Sequence, residues 1–158
     1  MLRKPLIVGV IGASRASSEG LTNAREVGRL IAESGGMMVC GGLGGIMQAA
    51  AQGCAEAGGT VIGILPGDSA RDANPFVSIP IVTDMGHARN VIIAHTADVL
   101  IAIEGEYGTL SEMAVALKLG KQVYSLGSWD DLPGGTKVAN ALEAVAKAFN
   151  VAGEIQGG

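Results

Sequence analysis

The residues best suited to chemistry lie in two short segments, GHARN at 86–90 and EGEYGTLSE at 104–112. Glu112 stands three residues after Thr109, and two readings fit that spacing. In one, the Glu112 carboxylate works beside a bound phosphate ligand, steadying positive charge or positioning a water. In the other, Thr109 and Glu112 are the two halves of a capping box. The hydroxyl then accepts from an orphan helix N–H and the carboxylate reaches back to the cap residue. Arg89 is harder to reduce to structure. It falls near the start of an expected helix, where a cation is disfavoured by typically ~0.3–1 kcal/mol. Something should compensate, either a carboxylate such as Asp84 or a bound phosphate or other anion. Asn90 beside it can donate and accept toward a ligand, or serve an ordinary helix start.

Other polar groups are less informative. His87 shares the loop before the same helix. His95 sits late in that helix, as a packed or C-terminal histidine would. Neither has metal-ligand companions at useful spacing. Lys118 and Lys121 flank Gly120 at a helix end, where the dipole favours cations. Cys40 and Cys54 show neither CxxC nor zinc spacing and read as buried small hydrophobes.

Alternating apolar runs and helical patterns must position these groups. Strands are expected at 6–11, 37–40, 60–65, 79–83, 98–103 and 122–126. Their Val, Ile and Leu content suggests burial on both faces. Helices are expected near 20–34, 45–57, 87–96, 109–119 and 136–149. Val27, Leu30 and Ile31 share a face in the first; Val138, Leu142, Val145 and Phe149 do so in the last. This alternation predicts an α/β fold: one Rossmann-like, doubly wound parallel sheet with helices on both faces. No repeat or internal boundary interrupts it. One domain over 1–153 is expected, followed by a frayed tail at 154–158.

In such folds ligands sit beyond the carboxyl ends of the strands, near the switch point. That rim gathers GASRASSEG (12–20), GGLGGIM (41–47), PGDSARDANP (66–75) and EGEYGT (104–109), with DMGHARN (84–90) close by. Candidate ligand contacts are Gly12, Ser14, Gly42, Gly44, Gly45, Asn90, Gly105, Gly108 and Thr109. Glycines let backbone N–H groups approach an anion. GGLGGIM also fits a turn that simply packs a helix closely on the sheet. GVIGAS is not GxGxxG, and Cys40-Gly41-Gly42 offers no acidic residue for a ribose, so NAD binding loses its supports. No GxxxxGK[ST] is present, which excludes a Walker-type ATPase.

The bulk composition narrows the field further. Hydrophobic residues make up 48% and charged residues 16% of 158, so a sizeable core is expected and disorder is not. The formal net charge of −4 argues against a sequence-independent nucleic-acid binder. Aromatics at 3% argue against a base-stacking platform. Residues 5–13 (PLIVGVIGA) are too short an apolar run for a signal peptide, and no run approaches a membrane span. A cytoplasmic protein without membrane partners is the expectation.

Taken together, GGLGGIMQAAAQGCAEAGGTVIGILPG, GHARN and EGEYGTLSEMAVALK resemble the Lonely Guy (LOG) phosphoribohydrolases and the related molybdenum cofactor carrier proteins. The resemblance spans roughly residues 6–126, and the order and spacing of several motifs agree. It implies a Rossmann-like fold and a homo-oligomer, a dimer or tetramer. The short ILPG and ARN segments look more like the carrier branch. Some members carry an old "lysine decarboxylase" label, for which this chain offers no Schiff-base lysine setting. LOG enzymes cleave the N-glycosidic bond of nucleoside monophosphates through PGGxGTxxE, preceded by MHxRK. The resemblance implies that Gly105, Gly108 and Thr109 hold phosphate. It places Glu112 at the catalytic glutamate and Arg89 at the catalytic arginine. His87 matches the histidine of MHxRK, and Asn90 replaces its lysine.

Two departures stand out. Glu104 replaces the proline of that signature, and Glu106 its second glycine. Two like charges at ~4 Å repel by about 1 kcal/mol in water and about 4 kcal/mol at an effective dielectric of 20. Glu106 should therefore weaken phosphate binding unless it points to solvent or a cation bridges it. If the strand extends that far, Glu104 and Glu106 share a face that a Mg²⁺ ion could join. Three functions stay open. One is a carrier or binding protein for a phosphate-bearing nucleotide or pterin-type ligand, with the molybdenum cofactor or a nucleotide as that ligand. Another is a nucleoside 5′-monophosphate phosphoribohydrolase. The last is an oligomer without a small ligand, which leaves the Gly-rich rims without a purpose.

Overall fold

The computed structural model describes residues 4–157, with side chains to residue 150. Its strands are β1 (Ile7–Gly12), β2 (Met37–Cys40), β3 (Val61–Leu65), β4 (Ile79–Val82), β5 (Val99–Ile103), β6 (Val123–Leu126) and β7 (Thr136–Lys137). They form one sheet, every pairing parallel, in the order β4-β3-β2-β1-β5-β6-β7. The helices are α1 (Ser18–Glu33), α2 (Ile46–Glu56), α3 (Arg89–Thr96), α4 (Tyr107–Lys118) and α5 (Ala141–Gly157).

Strand alternation splits the core in two. Val8, Val10, Val99, Ile101 and Ile103 face one side and pack with α1, α2 and α5. Ile11, Leu100 and Ala102 face the other and pack with α3 and α4. Successive side chains of a strand point to opposite faces, so apolar runs supply both layers at once. The expected doubly wound sheet is what forms.

Several local expectations are corrected. β4 is an edge strand, and Ile79, Ile81 and Val82 are exposed rather than buried on both faces. Pro80 is tolerated there because an edge strand need not donate every N–H. The helix expected from 136 begins at 141. Asn140 accepts from the Glu143 N–H at 2.8 Å, and Glu143 accepts from the Ala139 N–H at 2.9 Å. These reciprocal bonds start the helix and leave Thr136–Lys137 free to form β7. With that start, Ala141, Ala144, Val145 and Ala148 face the core, and Leu142 turns to solvent. The tail expected at 154–158 coincides with the last residues of α5 up to Gly157, and Gly158 lies outside the described residues.

Lys121 terminates α3 rather than α4. Its Nζ donates to the carbonyls of Ala94, His95 and Ala97 at 2.7, 2.6 and 2.5 Å, groups that a helix end leaves orphaned. Among the described residues no helix is long and apolar enough to cross a membrane.

Candidate functional site

β1 and β5 are neighbours, but the chain leaves them toward opposite faces of the sheet, into α1 and α4. The parting chains open a crevice at the strand carboxyl ends, the usual ligand position in this topology. A cleft of about 640 Å³ lies there.

The turn after β5 sets the chemistry. Glu104 has φ +53° and Gly105 has φ +102°. A side chain at Gly105 would place its Cβ 2.2 Å from Thr109 Oγ1, so this turn requires glycine. The sharp reversal starts α4 at Tyr107, with Glu106 at the cap position and no side chain capping it. Thr109 is then the third helical residue and Glu112 the sixth. The capping box between them does not form, because the helix begins earlier than the TxxE spacing suggests. Three residues apart on one helix face, both side chains turn inward and are buried.

Glu112 is only 7% exposed, and burial raises its carboxyl pKa to about 7 against the opposing pull of the Arg89 charge. Arg89 opens α3 and is 9% exposed. Burial lowers its pKa, while Glu112 and then Cys40 act to raise it; Asp84 is not among the charges that act on it. Arg89 Nη1 donates to Asn90 Oδ1. Arg89 Nε is the sole buried side-chain nitrogen or oxygen among the described residues that lacks a partner. A Cβ at Gly41 would stand 2.7 Å from Arg89 Nη2, so glycine there makes room for the guanidinium. Cys40, beneath it, is wholly buried, and burial pushes its thiol pKa up to about 12. Both cysteines are free and buried.

The two extra carboxylates part company. Glu104 accepts from the Ser17 N–H at 3.0 Å and the Ser17 hydroxyl at 2.5 Å, and Ser17 in turn caps α1. It ties two loops together away from the cleft. β5 ends at Ile103, so Glu104 and Glu106 do not share a strand face, and the expected basis for a Mg²⁺ bridge disappears. No group of three or more potential metal ligands occurs among the described residues. Glu106 remains on the cleft wall, exposed.

Of the residues singled out from sequence, Gly12, Ser14, Arg89, Asn90, Gly108, Thr109 and Glu112 line this one cleft. Gly42, Gly44, Gly45 and Gly105 stand outside its lining. Gly42 and Gly45 have φ +75° and +65° and abut Leu65 and the carbonyls of Ala13 and Ser14, so they pack the turn. His87 is exposed on the cleft; His95 is exposed on α3 and contributes only its carbonyl to Lys121.

Sequence reasoning missed Arg15, an exposed cation on the wall just after β1. Its signal was a basic residue at a strand's carboxyl end. It also missed Tyr107, Leu43 and Met47 on the wall. Asn74, 8% exposed, positions the second turn. Its side chain donates to Leu43 O at 2.9 Å and accepts from the Phe76 N–H at 3.0 Å, and its own N–H reaches Gly42 O at 2.8 Å. The segment 66–75 thus braces the rim without lining the cleft.

A groove of about 590 Å³ between α1 and α2 is a poorer candidate. Its charges satisfy one another, with Arg25–Glu56 and Arg29–Glu33 both at 2.6 Å.

A Rossmann-like parallel sheet with a cleft at its switch point has the layout in which small-ligand sites usually occur. The chain belongs to the SLOG cluster4 family, whose model matches residues 5–153. An uncharacterized protein of Archaeoglobus fulgidus is 52% identical over 124 residues, 78% of this chain and 81% of that protein. The structure is similar to the molybdenum cofactor binding protein of the phototrophic bacterium Rippkaea orientalis. The TM-score is 0.89 at 35% identity, over 96% of this chain and 99% of that one. It is also similar to the molybdenum cofactor carrier protein of Chlamydomonas reinhardtii. There the TM-score is 0.86 at 36% identity, over 93% of this chain and 98% of that one.

Proposed function

We propose that this protein binds and carries a phosphate-bearing ligand of pterin or nucleotide type, the molybdenum cofactor first among them. The observation that carries this reading is the buried Arg89 guanidinium on the cleft with its Nε unpartnered. A buried donor without an acceptor costs about 1–3 kcal/mol, a cost that a small shift of the guanidinium onto a ligand anion would relieve. Likeness to two molybdenum cofactor proteins over nearly the whole chain supports the same choice.

The residues present fit such a ligand. Arg89 and Arg15 supply charge for a phosphate, and the uncapped first turn of α4 supplies N–H donors beside Gly108 and Thr109. Glu112 does not cancel Arg89 below about pH 7, because burial keeps its carboxyl protonated there. The molybdenum cofactor would be cargo, bound by its phosphate end. The test is to mix the protein with cofactor released from a molybdoenzyme, desalt it, and measure molybdenum and pterin. Co-elution at about one equivalent, lost in Arg89→Met, is the expected result. Passage of all cofactor to the small-molecule fraction would count against the reading.

A second reading rests on Glu112 itself. A buried carboxyl with pKa near 7 is poised for general acid–base work at neutral pH, which suits hydrolysis of nucleoside 5′-monophosphates. Incubation with AMP, followed by chromatography for adenine, decides it. Adenine release that vanishes in Glu112→Gln favours the hydrolase; no release across several monophosphates leaves the carrier.

A further inference from the structure

Aromatic residues are scarce in this chain, at 3% with a single tryptophan, yet Tyr107 and Trp129 meet beside the cleft. Their ring centroids are 6.1 Å apart with the planes tilted by 34°. Trp129 lies between β6 and β7, and its indole N–H donates to the Glu106 carbonyl at 3.1 Å. That bond anchors it to the first turn of α4. Tyr107, the first residue of α4, lines the cleft while 79% exposed.

Packing alone does not account for this arrangement. Tyr107 holds most of its surface in water, on the wall of a cleft in which Arg89 and Glu112 are buried. An aromatic ring braced by a second ring loses less freedom when it stacks on a ligand. Its face suits any flat heterocycle, since stacking needs a π-surface rather than a particular hydrogen-bond pattern.

We propose that Tyr107, backed by Trp129, is a stacking platform for the heterocyclic ring of the ligand whose anionic end is held by Arg89. This rests on the ligand-binding reading above and adds to it a second subsite, selective for a ring. The low aromatic content argued against a base-stacking platform, but two well-placed rings are enough for one small ligand.

Calorimetry with ribose 5-phosphate and two ring-bearing probes tests the platform. The probes are 6-hydroxymethylpterin monophosphate and formycin 5′-monophosphate, whose carbon–carbon glycosidic bond resists hydrolysis. At least one ring probe should bind tighter than ribose 5-phosphate by on the order of ten-fold, the size expected of one aromatic stack. Tyr107→Ala should erase that margin, and Tyr107→Phe should keep it. The ring probe should also change the emission of Trp129. Equal binding of ring-bearing and ring-free probes, or a margin that survives in Tyr107→Ala, overturns the platform and leaves the phosphate site standing. Binding of no probe overturns both.

Discussion

Arg89 and Glu112 are opposite charges buried on the same cleft, and each favours the charged form of the other while burial disfavours both. They do not form one of the ion pairs of the described residues. The result is an arginine with spare hydrogen-bonding capacity beside a carboxyl that is protonated up to about neutral pH. Such a pair accepts an anion at low pH more readily than a closed salt bridge would.

Stability should depend on pH through Glu112. Its pKa is about 7 in the folded protein against 4.5 ordinarily. Below 4.5 both folded and unfolded states hold the proton. From there to about 7 unfolding releases it, so stability falls as pH rises, in full by on the order of 3 kcal/mol. Glu112→Gln cannot titrate and should flatten that fall, leaving the variant the more stable protein at pH 8. Urea melts at pH 5, 6.5 and 8 measure this. Parallel curves for the two proteins would count against a raised Glu112 pKa.

Removing Arg89 should move the same titration further. The Arg89 charge pulls the Glu112 pKa down, so Arg89→Met should raise it above the wild-type value. Carbon NMR of labelled glutamate reads the shift directly. The variant should also bind inorganic phosphate at least about ten-fold more weakly, since charge-assisted hydrogen bonds are worth about 1.5–3 kcal/mol.

Glu106 should oppose phosphate from the cleft wall. Its side chain is exposed, so the repulsion is near the water limit of about 1 kcal/mol at ~4 Å. Glu106→Gln should tighten phosphate binding about five-fold at low salt, and much less in 0.5 M salt, where screening shortens its reach. An affinity that ignores both the substitution and the salt would remove Glu106 from the site.

Two glycines of one turn should behave oppositely. Gly105→Ala forces a Cβ into Thr109 at φ +102° and should destabilise by about 1–3 kcal/mol. Gly108 lies inside α4 with open space where a Cβ would go. Gly108→Ala should raise the melting temperature, because alanine favours a helix by about 1 kcal/mol over glycine. It should also weaken phosphate binding by narrowing the cleft. Thermal melts with phosphate titrations separate the two effects.

The sequence by itself determined the alternation of strands and helices, the parallel sheet and the gathering of Arg89, Asn90, Thr109 and Glu112 near one rim. Those are consequences of apolar period, glycine position and motif order, all of which are local. It could not decide where α4 begins. TxxE is compatible with a cap at Thr109, and only the positive-φ turn at Glu104 and Gly105, closed against Thr109, starts the helix at Tyr107. Nor could it send Glu104 to Ser17, 87 positions away, or set Trp129 against Tyr107. Burial is likewise a tertiary quantity. Glu112 and Cys40 have ordinary side chains, and their raised pKa values exist only because the folded sheet and its helices exclude water from them.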